Sequence, residues 1–325
     1  MPSAADSVPD FSIIISAWND ARWLPSCIEA IVKQTHTDFE VLIADDCSTD
    51  DTAEILRTIS DPRFRIVFHT GARTGFVDTL NKLAGMARGR YIKLLCPDDP
   101  LLPDYLAAVH AFALQYPQCG LISTGSAAID ERGSVLPSKL RTNLPAKPVL
   151  SPLEADQFGI EHGDVTPTSG MAIRADVWRH LGGVSDVRRN NPLKIPNVQD
   201  ADLASRIQEF YDFGYIPGTH VLIRMHDGQL GGNMDAWIGR VEGQLAIFTR
   251  LTDRLVKAGV YTRQQAQAAL LGQVVAGPMS TVKGMLRHGR VVNVCAVLKE
   301  ISYVVPVRLV IWATIKDAGG RRLQR

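Results

Sequence analysis

Apolar and polar positions follow two rhythms over the first 230 residues. Short apolar runs rich in β-branched residues, Phe11–Ser16 and Glu40–Ala44, predict strands buried on both faces, and Arg63–His69 and Tyr91–Leu95 predict two more. Between them the apolar positions recur with helical period. Trp23, Leu24, Cys27, Ile28, Ile31 and Val32 mark a first helix, which Asn19 or Asp20 can cap and which tolerates Pro25 in its first turn. A second runs from the acidic loop Asp45–Thr52 through Ile59 and stops at Asp61-Pro62. A third covers Gly75–Ala87, with Phe76, Val77, Leu80, Leu83, Ala84 and Ala87 on its apolar side and Gly89 at its C-terminal end. Alternation of this kind is the signature of a doubly wound α/β sheet, mostly parallel.

Farther along, Pro103–Tyr116 reads as helix, and Gly120–Thr124 and Gly133–Leu136 flank an Asp130–Gly133 turn as an antiparallel hairpin. Pro137–Pro167 reads as loop around one short helix beginning near Ser151, and Thr168–Ile173 as a strand. Val184–Val198 has no apolar period and is expected to be a mobile loop over a site. A helix over Asp200–Tyr211, Gly214 and a strand near Thr219–Met225 complete this part. Beyond Asn233 the pattern is helical, over Met234–Ala258, Thr262–Val275, Val282–Leu286 and Val291–Ile315, the last broken at Pro306. The expected division is a catalytic α/β domain over 1–232 and a helical region over 233–325.

Composition adds one asymmetry. The 325 residues are 46% hydrophobic and 21% charged, ordinary for a globular protein, with a net charge of +1. From Arg250 onward there are thirteen basic and three acidic residues, against 22 and 31 before it. The acidic part fits a metal-dependent site, and the basic part fits an anionic surface such as a membrane headgroup layer. Five cysteines, odd in number and never in a C-x-x-C spacing, indicate neither a disulfide framework nor a zinc cluster and suit a reducing compartment. The first ten residues lack a signal-peptide pattern, and the longest apolar run, Val304–Ile315, falls short of the roughly 20 residues that span a bilayer. A cytoplasmic protein, peripheral to a membrane through its basic helices, is expected; packing of those helices on the catalytic domain or on a second copy is an equal alternative.

The stretch that concentrates chemistry is Tyr91-Ile-Lys-Leu-Leu-Cys-Pro-Asp-Asp99, a strand that surfaces at two adjacent carboxylates. Ligands of open α/β sheets bind beyond the carboxyl ends of strands. Taken alone, such a pair serves equally well as a helix cap.

Three segments resemble the inverting family 2 glycosyltransferases of the GT-A fold. They are Phe11–Ser16 leading to Trp18-Asn19, the strand running into Asp45-Asp-Cys-Ser-Thr-Asp50, and Gly89 to Asp99 at the place of the Asp-x-Asp element. Gln199-Asp200 and Arg224-Met-His226 resemble two later landmarks, so the resemblance covers about Phe11 to His226. It implies a nucleotide-diphosphate sugar donor read by Ala17, Trp18, Asn19, Asp45, Asp46 and Asp98. It further implies a divalent cation, Mn2+ or Mg2+, on Asp98, Asp99 and His226, with Arg224 on the diphosphate. Asp200 is the implied general base, and Ser169, Gly170 and Arg206 the acceptor or lid positions. The implied acceptor is a hydroxyl of a glycan or lipid-linked glycan, with no nucleic-acid partner. Cys96 and Gln199 depart from the pattern by replacing carboxylates, and the first weakens the expected metal set because a thiol suits magnesium or manganese poorly. No Gln-x-x-Arg-Trp element is present, so transfer of single sugars is expected. Two other readings stay open: a sugar nucleotidyltransferase, whose glycine-rich turn after the first strand is missing here, and a non-catalytic nucleotide-sugar scaffold.

Overall fold

The structure is a computed structural model and describes residues 7–137, 144–163, 166–185, 198–226, 234–270 and 272. Eight strands form one mixed sheet. In chain order the elements are β1 (Phe11–Ala17), α1 (Leu24–Val32), β2 (Phe39–Asp45), α2 (Thr52–Arg57), β3 (Phe64–Phe68), α3 (Phe76–Met86), β4 (Tyr91–Leu94), α4 (Tyr105–Gln115) and β5 (Cys119–Ile129). There follow β6 (Val149–Leu150), α5 (Pro152–His162), a 3-10 turn (Thr168–Gly170), β7 (Met171–Arg174), α6 (Ala175–Leu181), α7 (Gln199–Ile207), β8 (Asp212–Arg224) and α8 (Met234–Lys257). The sheet order is β3-β2-β1-β4-β7-β5-β8-β6. β3, β2, β1 and β4 are mutually parallel, β7 runs antiparallel to both its neighbours, and β5 pairs β8 in parallel.

The period-2 geometry of a strand explains why β1 and β2 lack polar alternation. Phe11, Ile13 and Ile15 join Val41, Ile43 and the α1 residues Leu24, Cys27 and Ile31 in one cluster. Ile14 and Leu42 point to the other face and are equally buried, and α3 packs against both strands. Each such side chain contributes roughly 1.5–3 kcal/mol on burial, so the centre of the sheet is also its most stable part. The described residues divide into two compact units. One carries the whole sheet; the other includes, among the described residues, Asp156–Gly163 and α8. Within the second, Arg254 of α8 donates to both oxygens of Asp156 at 2.7 and 2.5 Å.

Several expected boundaries move. Neither Asn19 nor Asp20 caps α1: Trp23 is its N-cap residue without a side-chain bond, and the Asp20 carboxylate instead accepts from the N–H of Trp18 at 2.8 Å. Thr168–Gly170 turns as 3-10 helix, so the strand begins only at Met171. α7 ends at Ile207, and β8 starts at Asp212, seven residues before the expected start, with Gly214 paired to Ile122 and Pro217 and Gly218 passed at a register shift in its pairing with β5. The short β6 and the helix α6 fall where the periodicity was too weak to predict them. The expected hairpin is reduced to one bridge, Ile129 to Val135, with Leu136 donating to Ala128. Most of the expected mobile loop, and the helices expected beyond residue 272, lie outside the described residues, as does the basic segment Val304–Lys316. Among the described residues no helix is long and apolar enough to cross a membrane.

Gly89 does not cap α3, which ends at Met86 with Ala87 already extended. It lies where β4 enters the sheet against β1: its N–H donates to Ser12 Oγ at 2.8 Å, and a Cβ added there would stand 2.4 Å from the Ser12 nitrogen. Backbone cannot yield as a flexible side chain does. Gly89→Ala is therefore expected to lower stability by about 3 kcal/mol, read as a fall in the urea midpoint with unchanged m-value; an unchanged midpoint would contradict this packing.

Candidate active site

Because β1, β2 and β4 are parallel and in register, with Ala17 beside Asp45 and Ile14 beside Leu94, their carboxyl ends reach one edge of the sheet together. The segments that leave this edge are tied to one another. Asn19 adopts a left-handed φ of 56°, donates its N–H to Ser48 Oγ at 3.0 Å and accepts the Thr49 N–H on Oδ1 at 2.8 Å. The N–H of Asp20 donates to Thr52 Oγ1, and that of Ala21 to Asp50. Asp45 accepts the Ser48 N–H at 3.2 Å. Trp18 is left 39% exposed with Arg73 stacked 3.6 Å from its ring, while Ala17 is fully buried in the strand. Asp46 is only 1% exposed: it accepts the N–H groups of Thr74 and Gly75, each at 2.7 Å, and meets His69 Nδ1 at 3.1 Å. Burial pushes its carboxyl up, but these bonds outweigh burial and hold it below the usual range.

At the end of β4 the two adjacent aspartates face different surroundings. Asp98 places Oδ2 3.1 Å from His226 Nε2, and its carbonyl accepts from Arg224 Nε at 3.1 Å. Arg224 also donates to the carbonyls of Asp130 and Glu131, and its guanidinium lies 4.7 Å above the Trp23 ring, which His226 contacts as well. Asp99 is buried: Ser169 Oγ donates to its Oδ2 at 2.6 Å and the Arg224 N–H to its Oδ1 at 2.9 Å. Ser169 in turn accepts the Cys96 N–H on its hydroxyl, and Lys93 donates to its carbonyl from below. Lys93 is held 4.2 Å over the ring of Tyr105, whose hydroxyl donates to the Gly170 carbonyl. One residue before Ser169, Thr168 Oγ1 donates to Asp200 Oδ2 at 3.2 Å. Three carboxylates from two distant segments thus gather about Cys96.

The electrostatics follow from that crowding. Burial first, then the charge of Asp98, raises the Asp99 carboxyl to about 7. Burial also raises Asp20 to about 6, with further contributions from Asp98 and Asp50. The Cys96 thiol is pushed well above its usual range by burial and then by Asp99, Asp98 and Asp200. Lys93, with no water around it, falls to about 7.

The family model described as Glycosyl transferase family 2 matches residues 12–179, just over half of the chain. The chain belongs to glycosyl transferase family 2. Over 105 residues it is 38% identical to the succinoglycan biosynthesis protein ExoO of Rhizobium meliloti, covering 32% of this chain and 30% of that protein. Over 119 residues it is 35% identical to a PGL/p-HBAD biosynthesis glycosyltransferase of Mycobacterium bovis, covering 36% and 46%. The matches thus span less than half the length of these curated relatives. Two solved structures share the fold: S. aureus TarS 1–349 in complex with UDP-GlcNAc (TM-score 0.63, 13% identity, 92% of this chain and 82% of that one) and the mannosyltransferase PcManGT from Pyrobaculum calidifontis in complex with GDP-Man and Mn2+ (TM-score 0.53, 17%, 96% and 81%). The mixed sheet is the GT-A architecture.

In this chain Asp98, Asp99, His226, Arg224, Asp200, Ser169 and Gly170 come together at the β4 end, and Trp18, Asn19, Asp45 and Asp46 at the adjoining ends of β1 and β2. Arg206 does not join them: it donates to Asp202 and to the carbonyls of Leu181 and Gly183, which spends its guanidinium on the segment after α6. Ligating atoms of Cys96, Asp98 and Asp99 lie within 4.8 Å of one another. A thiol held protonated is no partner for a hard cation, whereas two carboxylates with an imidazole beside them supply the oxygen-rich set such a cation takes. Four contributors escape a sequence reading: Asp20, Trp23, Lys93 and Thr168. Only Asp20 left a signal, as the polar residue directly after Trp18-Asn19, and that signal reads equally as a helix cap.

Asp99 yields a prediction whose sign is fixed by its raised pKa. The folded carboxyl holds its proton more tightly than the unfolded one, so this stabilisation is complete below the unfolded value near 3.9 and is lost as pH rises through about 7. Urea midpoints measured without divalent cations between about pH 4.5 and 7.5 should fall with pH in the wild type and fall less in Asp99→Asn. An equal slope in the two proteins would remove Asp99 as the cause.

Proposed function

We propose that the protein is an inverting, non-processive glycosyltransferase that moves a sugar from a nucleotide-diphosphate donor to a hydroxyl of a glycan or lipid-linked glycan, in the synthesis of a cell-surface polysaccharide. The observation that carries this reading is the linkage at the end of β4, where Asp98 and Asp99 offer ligating atoms within 4.8 Å of one another and the adjoining Ser169 and Thr168 bind Asp99 and Asp200. Names of relatives support it: succinoglycan biosynthesis, chondroitin synthase of Escherichia coli, and neighbours holding UDP-GlcNAc or GDP-Man.

Each group has a part. Trp18 offers an aromatic face to the base, and the Ala17-Trp18-Asn19 segment with Asp45 borders the nucleotide. Asp46 shapes this pocket rather than reading the base, since its oxygens hold the loop after β3. Asp98, with Asp99 and His226, would hold a divalent cation, which supplies positive charge against the diphosphate leaving group. Arg224 acts through position: it fixes the Asp98 carbonyl and the Asp99 carboxylate instead of reaching a phosphate. Asp200 takes the proton of the acceptor hydroxyl as its oxygen bonds to the anomeric carbon and the bond to the diphosphate oxygen breaks on the opposite face. Thr168 aims that carboxylate, and Ser169 and Gly170 form the floor between it and Asp99. Residues 1–232 form the catalytic domain in this reading. Residues 233–325 form a basic helical region that meets a membrane interface or a second copy of the chain on the cytoplasmic side.

Calorimetry with a panel of nucleoside diphosphates, with and without Mn2+, tests the donor half. The wild type is expected to bind one of them in a Mn2+-dependent way, and Asp98→Ala to bind it at least about tenfold more weakly; a wild type that binds none overturns the proposal. With the matching nucleotide sugar, Asp200→Asn should keep donor affinity and lose about a thousandfold in the release of nucleoside diphosphate. Turnover retained in that variant would exclude Asp200 as the base.

A further inference from the structure

At the opposite, amino-terminal edge of the sheet lies a cluster for which the reaction has no use. Asp10 precedes β1, His36 sits in the turn between α1 and β2, and His110 lies midway along α4. His36 Nε2 and His110 Nδ1 each stand 3.1 Å from the same atom, Asp10 Oδ2. The other oxygen, Oδ1, faces Arg90 Nε at 3.9 Å. The two imidazoles are stacked, with ring centroids 4.6 Å apart and 28° between planes, and the edge of His36 packs against Phe11. We propose that Asp10, His36 and His110 form a metal site for a zinc-class divalent cation, bound through two imidazole nitrogens and one carboxylate oxygen.

Hydrogen bonding alone leaves part of this arrangement unexplained. A carboxylate oxygen can accept from two imidazole N–H groups. Yet His36 Nε2 is buried and makes no hydrogen bond despite standing 3.1 Å from Oδ2. Nitrogen and oxygen atoms that share a tetrahedral cation at about 2.0–2.1 Å stand about 3.3 Å apart without pointing at one another. The donor set suits zinc: two borderline nitrogens, one oxygen and no sulfur. It is also pre-organised. The Asp10 carbonyl accepts the Tyr91 N–H at 2.9 Å, Phe11 donates to the Asp38 carbonyl, and His110 is carried on a helix. His110 is the most open of the three at 33% side-chain exposure, which leaves a solvent side for a water as fourth ligand. Such an ion would join the start of β1, the α1–β2 turn and α4 at the edge remote from the chemistry.

The test uses the full-length chain without a histidine tag, stripped with chelator, in an Asp98→Ala background so that the active-site carboxylates add little. One equivalent of Zn2+ is expected to bind and to raise Tm by about 5 °C at a hundredfold excess over Kd. Co2+ should give the visible absorption of a four-coordinate site, and both effects should be lost in His36→Ala and in His110→Gln. Absence of Zn2+ binding overturns the proposal, and so does a Co2+ spectrum that survives either substitution. Should a variant fail to fold, carbethoxylation of the parent chain decides: Zn2+ must protect His36 and His110 but not His180, and equal labelling with and without Zn2+ overturns it.

Discussion

The carboxylate of Asp99 is the contact on which the site depends. Its two oxygens receive the Ser169 hydroxyl and the Arg224 backbone N–H, so one buried group joins the end of β4, the 3-10 turn before β7 and the end of β8, segments 70 and 125 residues away. Remove it and two buried donors lose their partner, at about 1–3 kcal/mol each. Asn offers a single acceptor and cannot replace both bonds. Keeping a carboxylate in so dry a place next to Asp98 is unfavourable once it ionises, which is why its proton is held to about pH 7.

The rest of the edge is organised around that point in two tiers. Beneath it, Lys93, Tyr105 and Gly170 anchor the 3-10 turn from the core side. Above it, Trp23 lies between Arg22, 4.1 Å from its ring, and the Arg224–His226 pair, which fixes how His226 approaches Asp98. The family match ends at residue 179, yet Asp200, Arg224 and His226 lie beyond it. The half of the chain that the family model matches supplies the strand ends, and the later part, through the partnership of β5 with β8, brings Arg224 and His226 beside them.

How far the sequence could be read follows from the range of the forces involved. The four parallel strands and their helices were legible because runs such as Phe11–Ser16 and the spacing from Trp23 to Val32 are local consequences of burial. The carboxylates at the strand ends were legible by position. Which of them remains available was not, since that depends on partners far along the chain: Asp46 is taken by Thr74 and Gly75, and Arg206 by carbonyls before Val184. β8 was read short because Gly214, Pro217 and Gly218 are local strand breakers. In the fold Gly125 of β5 lets the two strands pass closely at this point, since a Cβ on it would stand 1.9 Å from the Gly218 carbonyl oxygen. Cysteine spacing likewise said nothing of Asp10, His36 and His110, which meet only through the packing of α4 against the sheet edge.

Cys96 occupies the place where the family pattern has a carboxylate, and its surroundings set the consequence of that exchange. Burial first, and then three acidic neighbours, keep the thiol from ionising, and Cys27, whose Sγ–H donates to the Cys96 carbonyl, is held neutral by burial in the same region. Oxidants and alkylating agents attack thiolates far faster than thiols. A cysteine in the heart of a catalytic edge would ordinarily be a point of redox vulnerability. Burial and the acids beside it hold this sulfur in its less reactive thiol form, so the strand end carries one charge fewer than the family pattern places there.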